Sequence, residues 1–368
     1  MKPLNIVIFG LSITSSWGNG HATTYRSLVK ALAMRGHRVT FFEKDVPWYA
    51  ANRDLPEPQF CRTVLYKNVT DLKVFQDFWK NADLVMLGSY VRDAYDIAQQ
   101  IKKKRPACFG FYDMDTPVTL AKLERGDYEY LHPSMIPEFD IYWSFSGGPT
   151  LETLEKKYRA RRALPLYCSV DLDLYFHEPV SGNDYDHRQY ALGYIGTYNT
   201  DRQSTLAKLL IEPARRLPNL KFCVAGARYP SSIHWPGNVT TFEHIPPQNH
   251  CHFYNNQLFA LNATRREMAR AGYSPSVRLF EAGACGTPVI SDFWPGLDKF
   301  FHIGEEILVA RTADDVVKYL KMDEEQRLAL GLRFRQRVLD AHTSRHRAME
   351  IEHHFDQISA PTSLAANH

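Results

Sequence analysis

The chain has 368 residues, 44% of them hydrophobic and 23% charged. That length suits two ordinary domains, each with its own buried core, and the composition is that of a globular chain rather than a disordered one. With 44 Lys and Arg against 41 Asp and Glu the net charge is +3, too small to argue for a nucleic-acid partner, and none is expected. The basic clusters at 102–105 and 156–162 read as solvated helix ends. No run approaches the ~18 apolar residues of a membrane-spanning helix, so none is expected. The opening MKPLNIVIFG lacks the length and cleavage site of a secretory leader. The six cysteines are widely spread, several in apolar strands, and read as reduced core thiols of a cytoplasmic protein.

In chain order, residues 5–9 form a buried strand. Gly10 begins a long loop through Trp17, Gly18, Asn19, Gly20 and His21, and a helix follows over about 23–35 with Tyr25, Leu28 and Leu32 as its inner stripe. Residues 37–42 are the next strand, which completes a βαβ unit. The loop glycines sit where a first βα turn holds a ligand, although their spacing is not G-x-G-x-x-G. Strands at 83–88 and 107–111 flank a helix at 92–104. Asp113 and Asp115 follow the second of them, at a strand's carboxyl end, where α/β folds keep chemistry. They are placed to orient His21, to bond sugar hydroxyls, to cap a turn or to hold a cation; the D-x-D spacing is weak evidence for metal, and none is assigned. A strand at 140–146 ends in Gly147 and Gly148, which either admit a ligand to the backbone or make a tight turn. A helix at 150–160 and a strand at 163–168 complete the first domain, 1–170. The stretch 171–189 is acidic, lacks periodicity and contains Pro179 and Gly182, the marks of a linker.

The second domain, 190–345, restarts with a strand at 190–195, a loop from Gly196 and a helix through 206–217, with Arg202 placed to reach a phosphate. Strands at 221–225, 239–244 and 258–261 follow, with a helix from His250 through Gln257. The stretch SPSVRLFEAGACGTPVISD, from Ser274 to Asp292, reads as loop, helix, tight turn and buried strand. Ser274 is a good N-cap and Pro275 suits the first helical position; Gly286 and Pro288 end the helix. Ser274, Arg278 and Glu281 share its polar stripe. A diphosphate fits the Ser276 and Val277 amides at the positive helix end, with Arg278 adding charge, and Glu281 is placed to accept from two ribose hydroxyls. A short strand at 305–309 and helices at 313–321, 324–341 and about 343–357 end the fold.

Two strings carry a family resemblance. The run from Ser274 to Ile290 resembles the nucleotide-binding helix of GT-B glycosyltransferases, which ends in E-A-x-A-x-G-x-P-V-I, and its S-P-S-V-R-L-F-E-A start resembles the CgeB-like, spore-maturation type branch. The run GNGHATTYRSLVKALAMRGHRVTFF is similar to the first loop and helix of GT-B enzymes. The resemblance implies an α/β GT-B fold: two Rossmann-like domains facing each other across a cleft, with a C-terminal helix at 346–360 packing back on the first domain and a tail at 361–368. It implies transfer of a sugar from a nucleotide-diphosphate sugar, a UDP-sugar favoured, to an acceptor, a hexosyl transfer that needs no cofactor and no metal. Gly196, Arg202 and the backbone of Ile245 then join the Ser274–Glu281 residues as donor contacts, and Glu281 maps onto the family's ribose contact. In inverting members a His at the position of His21 is the general base; helix capping or phosphate binding is its other role. The sugar-contacting Glu that many retaining members carry eight positions before the helix Glu is Tyr273 here. An epimerase of sugar nucleotides and a non-catalytic nucleotide-sugar-binding or coat-assembly protein are the alternative readings.

Overall fold

In a computed structural model the structure describes residues 2–178 and 188–359. The chain divides into two compact units: one runs up to Cys168 and takes in the helix from Ser344, the other is Ser169–Thr343.

The first unit is built on strands β1 (Asn5–Gly10), β2 (Arg38–Lys44), β3 (Arg62–Tyr66), β4 (Leu84–Gly88), β5 (Cys108–Asp113), β6 (Ile141–Ser144) and β7 (Ala163–Pro165). All pair in parallel, in the order β3-β2-β1-β4-β5-β6-β7. Strands covered on both faces read as continuous apolar runs, and β4 and β5 are buried along their whole length. The helix Gly20–Met34 starts three residues before the apolar stripe suggested, because Asn19 caps it: the Asn19 side chain accepts from the His21 N–H at 2.9 Å. The strand β3 and the helix Thr116–Glu124 were not legible as elements in the sequence. The last helix, Ser344–Ser359, packs against the helix Gly20–Met34. There Arg35 grips Glu352 through two bonds of 2.6 Å. The Leu4 N–H donates to His37 Nδ1 at 3.1 Å, so Nε2 carries the ring proton and meets Glu352 at 2.8 Å. Trp143 donates to His354 Nδ1 at 3.0 Å; burial, with His353 and Arg162 nearby, holds His354 down to about 4, so it accepts as a neutral ring.

The second unit carries β8 (Tyr190–Ile195), β9 (Phe222–Ala225), β10 (Val239–Phe242), β11 (Gln257–Asn262), β12 (Val289–Ser291) and β13 (Leu308–Val309), also parallel, in the order β10-β9-β8-β11-β12-β13. The single helix expected over 206–217 is three pieces: Thr200–Leu206, a π-helical turn Ala207–Ile211, and Glu212–Arg216. Pro213 has no N–H to continue an unbroken α-helical ladder there. The expected linker is partly absorbed into this unit. Tyr175 is buried, the Phe176 N–H reaches Cys251 Sγ at 3.4 Å, and the Glu178 N–H donates to Asn255 at 3.0 Å. The rest of that stretch, residues 179–187, and the tail 361–368 lie outside the described residues.

Candidate active site

In open parallel sheets ligands bind beyond the carboxyl ends of the strands, where the strand order reverses. Each unit has one such point, between β1 and β4 in the first and between β8 and β11 in the second.

In the first unit the loop after β1 is held from below by carboxylates. Glu43, at the end of β2 and fully buried, accepts from the Ile13 N–H at 2.6 Å, the Thr14 N–H at 2.9 Å and the Thr14 hydroxyl at 2.6 Å. Asp54 accepts from Ser16 N–H and hydroxyl and takes both ends of the Arg26 guanidinium at 2.7 and 2.8 Å. Although burial raises the Asp54 carboxyl, the Arg26 and Ser16 bonds outweigh it and hold the group well below the carboxylate range. Gly18, at φ 60, and Asn19 deliver the chain to the helix start at Gly20. His21 therefore stands on the first turn, its Nε2 3.6 Å from Asp115 Oδ2. Its Nδ1 is buried without a hydrogen-bond partner among the described residues. Tyr90, just past β4, donates to Asp115 Oδ2 at 3.2 Å and sets its ring edge-on to His21, centroids 5.1 Å apart. The loops after β1, β4 and β5 thus converge on one imidazole–carboxylate couple.

The two acids of the D-x-D string separate in role. Asp115 faces His21, whereas Asp113 is fully buried and turned into the fold. Asp113 accepts from the Tyr142 hydroxyl at 2.6 Å, the Thr119 hydroxyl at 2.8 Å and the Asp115 N–H at 3.2 Å. Burial pushes it up to about 6 despite those donors. Asp113 is thus a support for the loop, not a group in reach of a ligand, which corrects its expected place beside the chemistry. Gly147 is buried and Gly148 is the N-cap of the helix Pro149–Lys156 at φ 57, the tight-turn arrangement.

In the second unit Gly196 ends β8. A Cβ on Gly226, at φ 151, would lie 2.1 Å from the Gly196 carbonyl, so glycine is required for this close approach of the two loops. The Gly196 carbonyl also accepts from the Tyr229 hydroxyl at 3.0 Å. Arg202 lies on the first turn of the helix Thr200–Leu206 and donates to the Thr197 carbonyl at 2.8 Å, while its Nε is buried with no protein acceptor among the described residues. Burial and the like charges of Arg278 and Arg265 lower its pKa.

The helix expected from Ser274 begins later, at Val277, and runs to Ala284. Ser276 is the N-cap; Ser274 is fully buried two residues ahead. The Ser276 side chain makes no capping bond at this helix start; its hydroxyl accepts from Arg278 Nη1 at 3.2 Å instead. Arg278 is buried rather than on an open polar stripe. It donates to the Ile195 carbonyl at 2.8 Å and to Asn262 Oδ1 at 3.0 Å, and lies over the Tyr194 ring at 4.8 Å. These acceptors are neutral, so its charge stays uncancelled by its hydrogen bonds. Glu281 is also buried and accepts from the Tyr254 hydroxyl at 2.9 Å. Ile245 is fixed through its carbonyl, which accepts from His250 Nε2 at 2.9 Å, while the Tyr175 hydroxyl lies 3.2 Å from His250 Nδ1. Tyr273 sits at φ 47 with its ring against Gly296. Sequence reasoning missed Glu43 and Asn262, which lie in strands, Tyr90 in a short loop and Tyr254 in the helix His250–Asn255, none with a motif spacing. Among the described residues no three His, Cys, Asp or Glu side chains gather as a metal-ion site.

Residues 202–353 match a family model described as Glycosyl transferase-like. No curated protein matches the chain in sequence. Solved structures match it in fold. The sucrose-phosphate synthase of Thermosynechococcus elongatus is similar at 15% identity and a TM-score of 0.69, over 96% of this chain and 99% of that one. Anabaena Alr3699/HepE, in complex with UDP and glucose, is similar at 10% identity and a TM-score of 0.69, over 96% of this chain and all of that one. A glycosyltransferase from Rickettsia africae gives 10% identity and a TM-score of 0.68, over 98% and 100% of the two chains. At such identities it is the fold that is shared: this chain has the GT-B fold.

Proposed function

We propose that this protein is a metal-independent glycosyltransferase of the CgeB-like branch, moving a hexose from a UDP-sugar to an acceptor. The observation that carries the reading is the pair of guanidiniums, Arg202 and Arg278, at the carboxyl end of β8, held by neutral acceptors beside the N-terminus of the helix Val277–Ala284. Two fixed cations and a positive helix end are what a departing diphosphate requires, and they supply charge that a metal ion would otherwise bring. Glu281 holds the ribose and Ile245 meets the base. The match of residues 202–353 to a glycosyl transferase-like family covers the same region, and the UDP and UDP-glucose complexes of Anabaena HepE make uracil the first base to try.

On the acceptor side His21 takes the hydroxyl proton, with Asp115 stabilising the imidazolium that forms. With Tyr273 where a retaining enzyme's Glu would stand, this base supports transfer with inversion. A thermal-shift panel of nucleoside diphosphates and nucleotide sugars tests the donor site. A ligand at 100 times its Kd stabilises by about 2.7 kcal/mol. Stabilisation by UDP that falls by about half or more in Glu281→Ala is the expected result; no stabilisation by any nucleotide in folded protein would overturn the proposal. The anomeric configuration of the product, read by NMR, then tests inversion, and a retained anomer removes the base role from His21.

A further inference from the structure

Two thiols join the elements that carry the proposed donor contacts. Cys251 follows His250 in the helix His250–Asn255, and Cys285 is the C-cap of the helix Val277–Ala284, four residues after Glu281. Their sulfurs lie 3.9 Å apart, both as free thiols, with Cys285 donating to Cys251. Cys251 Sγ also receives the Phe176 N–H at 3.4 Å and Asn255 Nδ2 at 3.5 Å, and as a thiol it donates to the Phe176 carbonyl at 3.2 Å. The donors to sulfur outweigh burial: Cys251 is pulled down to about 7, chiefly by the Cys285 thiol, while that same bond and burial push Cys285 up. One sulfur is thus set as the nucleophile and its neighbour as the resolving thiol.

We propose that Cys251 and Cys285 form a peroxide-sensitive dithiol whose disulfide weakens nucleotide binding at the Glu281 helix. The Cys251 thiolate attacks one oxygen of hydrogen peroxide, forming a sulfenic acid and releasing hydroxide, which takes up a proton to become water. The Cys285 thiol then attacks the sulfenic sulfur, forming the S–S bond and releasing a second water. The two thiols are oxidised by two electrons and the peroxide is reduced. Bond formation needs the sulfurs to close by roughly 2 Å, which draws the two helices together. Both hold parts of the donor site. Tyr254, on the same helix as Cys251, donates to Glu281, and His250 beside it holds the Ile245 carbonyl. The consequence for binding rests on the donor site proposed above; the cross-link does not.

The test treats reduced, folded protein with hydrogen peroxide, maps disulfides by non-reducing peptide mass spectrometry, and measures UDP affinity before oxidation, after it, and after dithiothreitol. Expected are a 251–285 cross-linked peptide and a UDP Kd raised about tenfold or more, restored by dithiothreitol. In Cys251→Ser, peroxide should leave UDP affinity unchanged. In Cys285→Ser, dimedone should trap the sulfenic acid on Cys251; if this variant does not fold, Cys251→Ser still carries the comparison. Free thiols at both positions after peroxide, in protein that stays folded, overturn the proposal. A cross-link with unchanged UDP affinity overturns its coupling to the site. Reduced protein that binds no nucleotide defeats the donor-site reading alone, and the cross-linked peptide still decides the thiol pair.

Discussion

The loops after β1 and β8 occupy the same topological place, each leaving a central strand of its sheet where the strand order reverses. Their electrostatics are opposite. The β1 loop gives its backbone N–H groups to two acids, the buried Glu43 and the exposed Asp54, and presents a histidine facing a carboxylate. The β8 loop closes on a glycine of its neighbour and is flanked by guanidiniums that give their hydrogen bonds to neutral oxygens. The fold fixes where a ligand can sit; the side chains decide that one place suits a proton and the other a polyanion. Two copies of one supersecondary pattern thus present different electrostatics without any change in connectivity.

Removing the proposed base is the sharpest way to break this division. His21→Ala is expected to lower transfer about 10²–10⁴-fold, with UDP affinity within twofold of wild type. Equal losses in both quantities would show that the β1 loop does not act separately from the donor site. Next in size, Arg278→Met leaves the oxygens of Ile195, Asn262 and Ser276 without their donor and removes a fixed cation. Calorimetry should show UDP binding weakened about 100-fold, and denaturant titration a stability loss of about 1–3 kcal/mol. Unchanged binding would assign Arg278 to the fold alone. For Glu281→Ala the expected loss is smaller, about 10–30-fold in UDP affinity, the size of a hydrogen bond to a charged group, and it should shrink when the probe lacks ribose hydroxyls.

A different kind of effect, on stability alone, concerns Asp113, and it separates support from chemistry within the first unit. Its folded pKa, about 6, lies above the unfolded value near 3.8. Between those values the native state keeps a proton that the unfolded state releases. Its contribution to stability is therefore full below pH ~4, is lost as pH rises towards ~6, and is flat above that. One group changes stability by at most about 1.4 kcal/mol per pH unit. The stability difference between wild type and Asp113→Asn, followed by denaturant titration from pH 4 to 7, should move against the wild type by that slope and then level off. A flat difference across this range would mean that Asp113 is ionised in the fold throughout.

Much of this protein is written in local sequence. Apolar runs of four to six residues, separated by glycine turns and periodic helices, gave most strands within a residue or two, because parallel strands buried on both faces have no polar positions to hide them. β8 and the helix Glu324–Ala341 have the bounds read from the sequence. The motif strings also placed His21, Asp115, Arg202, Arg278 and Glu281 at strand ends or helix starts. What local sequence did not determine is the direction of the side chains. Asp113 and Asp115 are two residues apart on one string, yet one turns into Tyr142 and Thr119 and the other faces His21. Arg278 reads as an exposed helical residue and is buried, because strands β8 and β11, far away in sequence, bring the Ile195 carbonyl and Asn262 to it. The helix start moved from Ser274 to Val277. Glu43, Tyr90 and the Cys251–Cys285 pair had no local signal at all. Periodicity reports which residues must leave water, and it acts over neighbours in sequence. Which acceptor a buried charge finds depends on non-local packing, since a buried polar group must be satisfied by whatever the fold brings within about 3 Å.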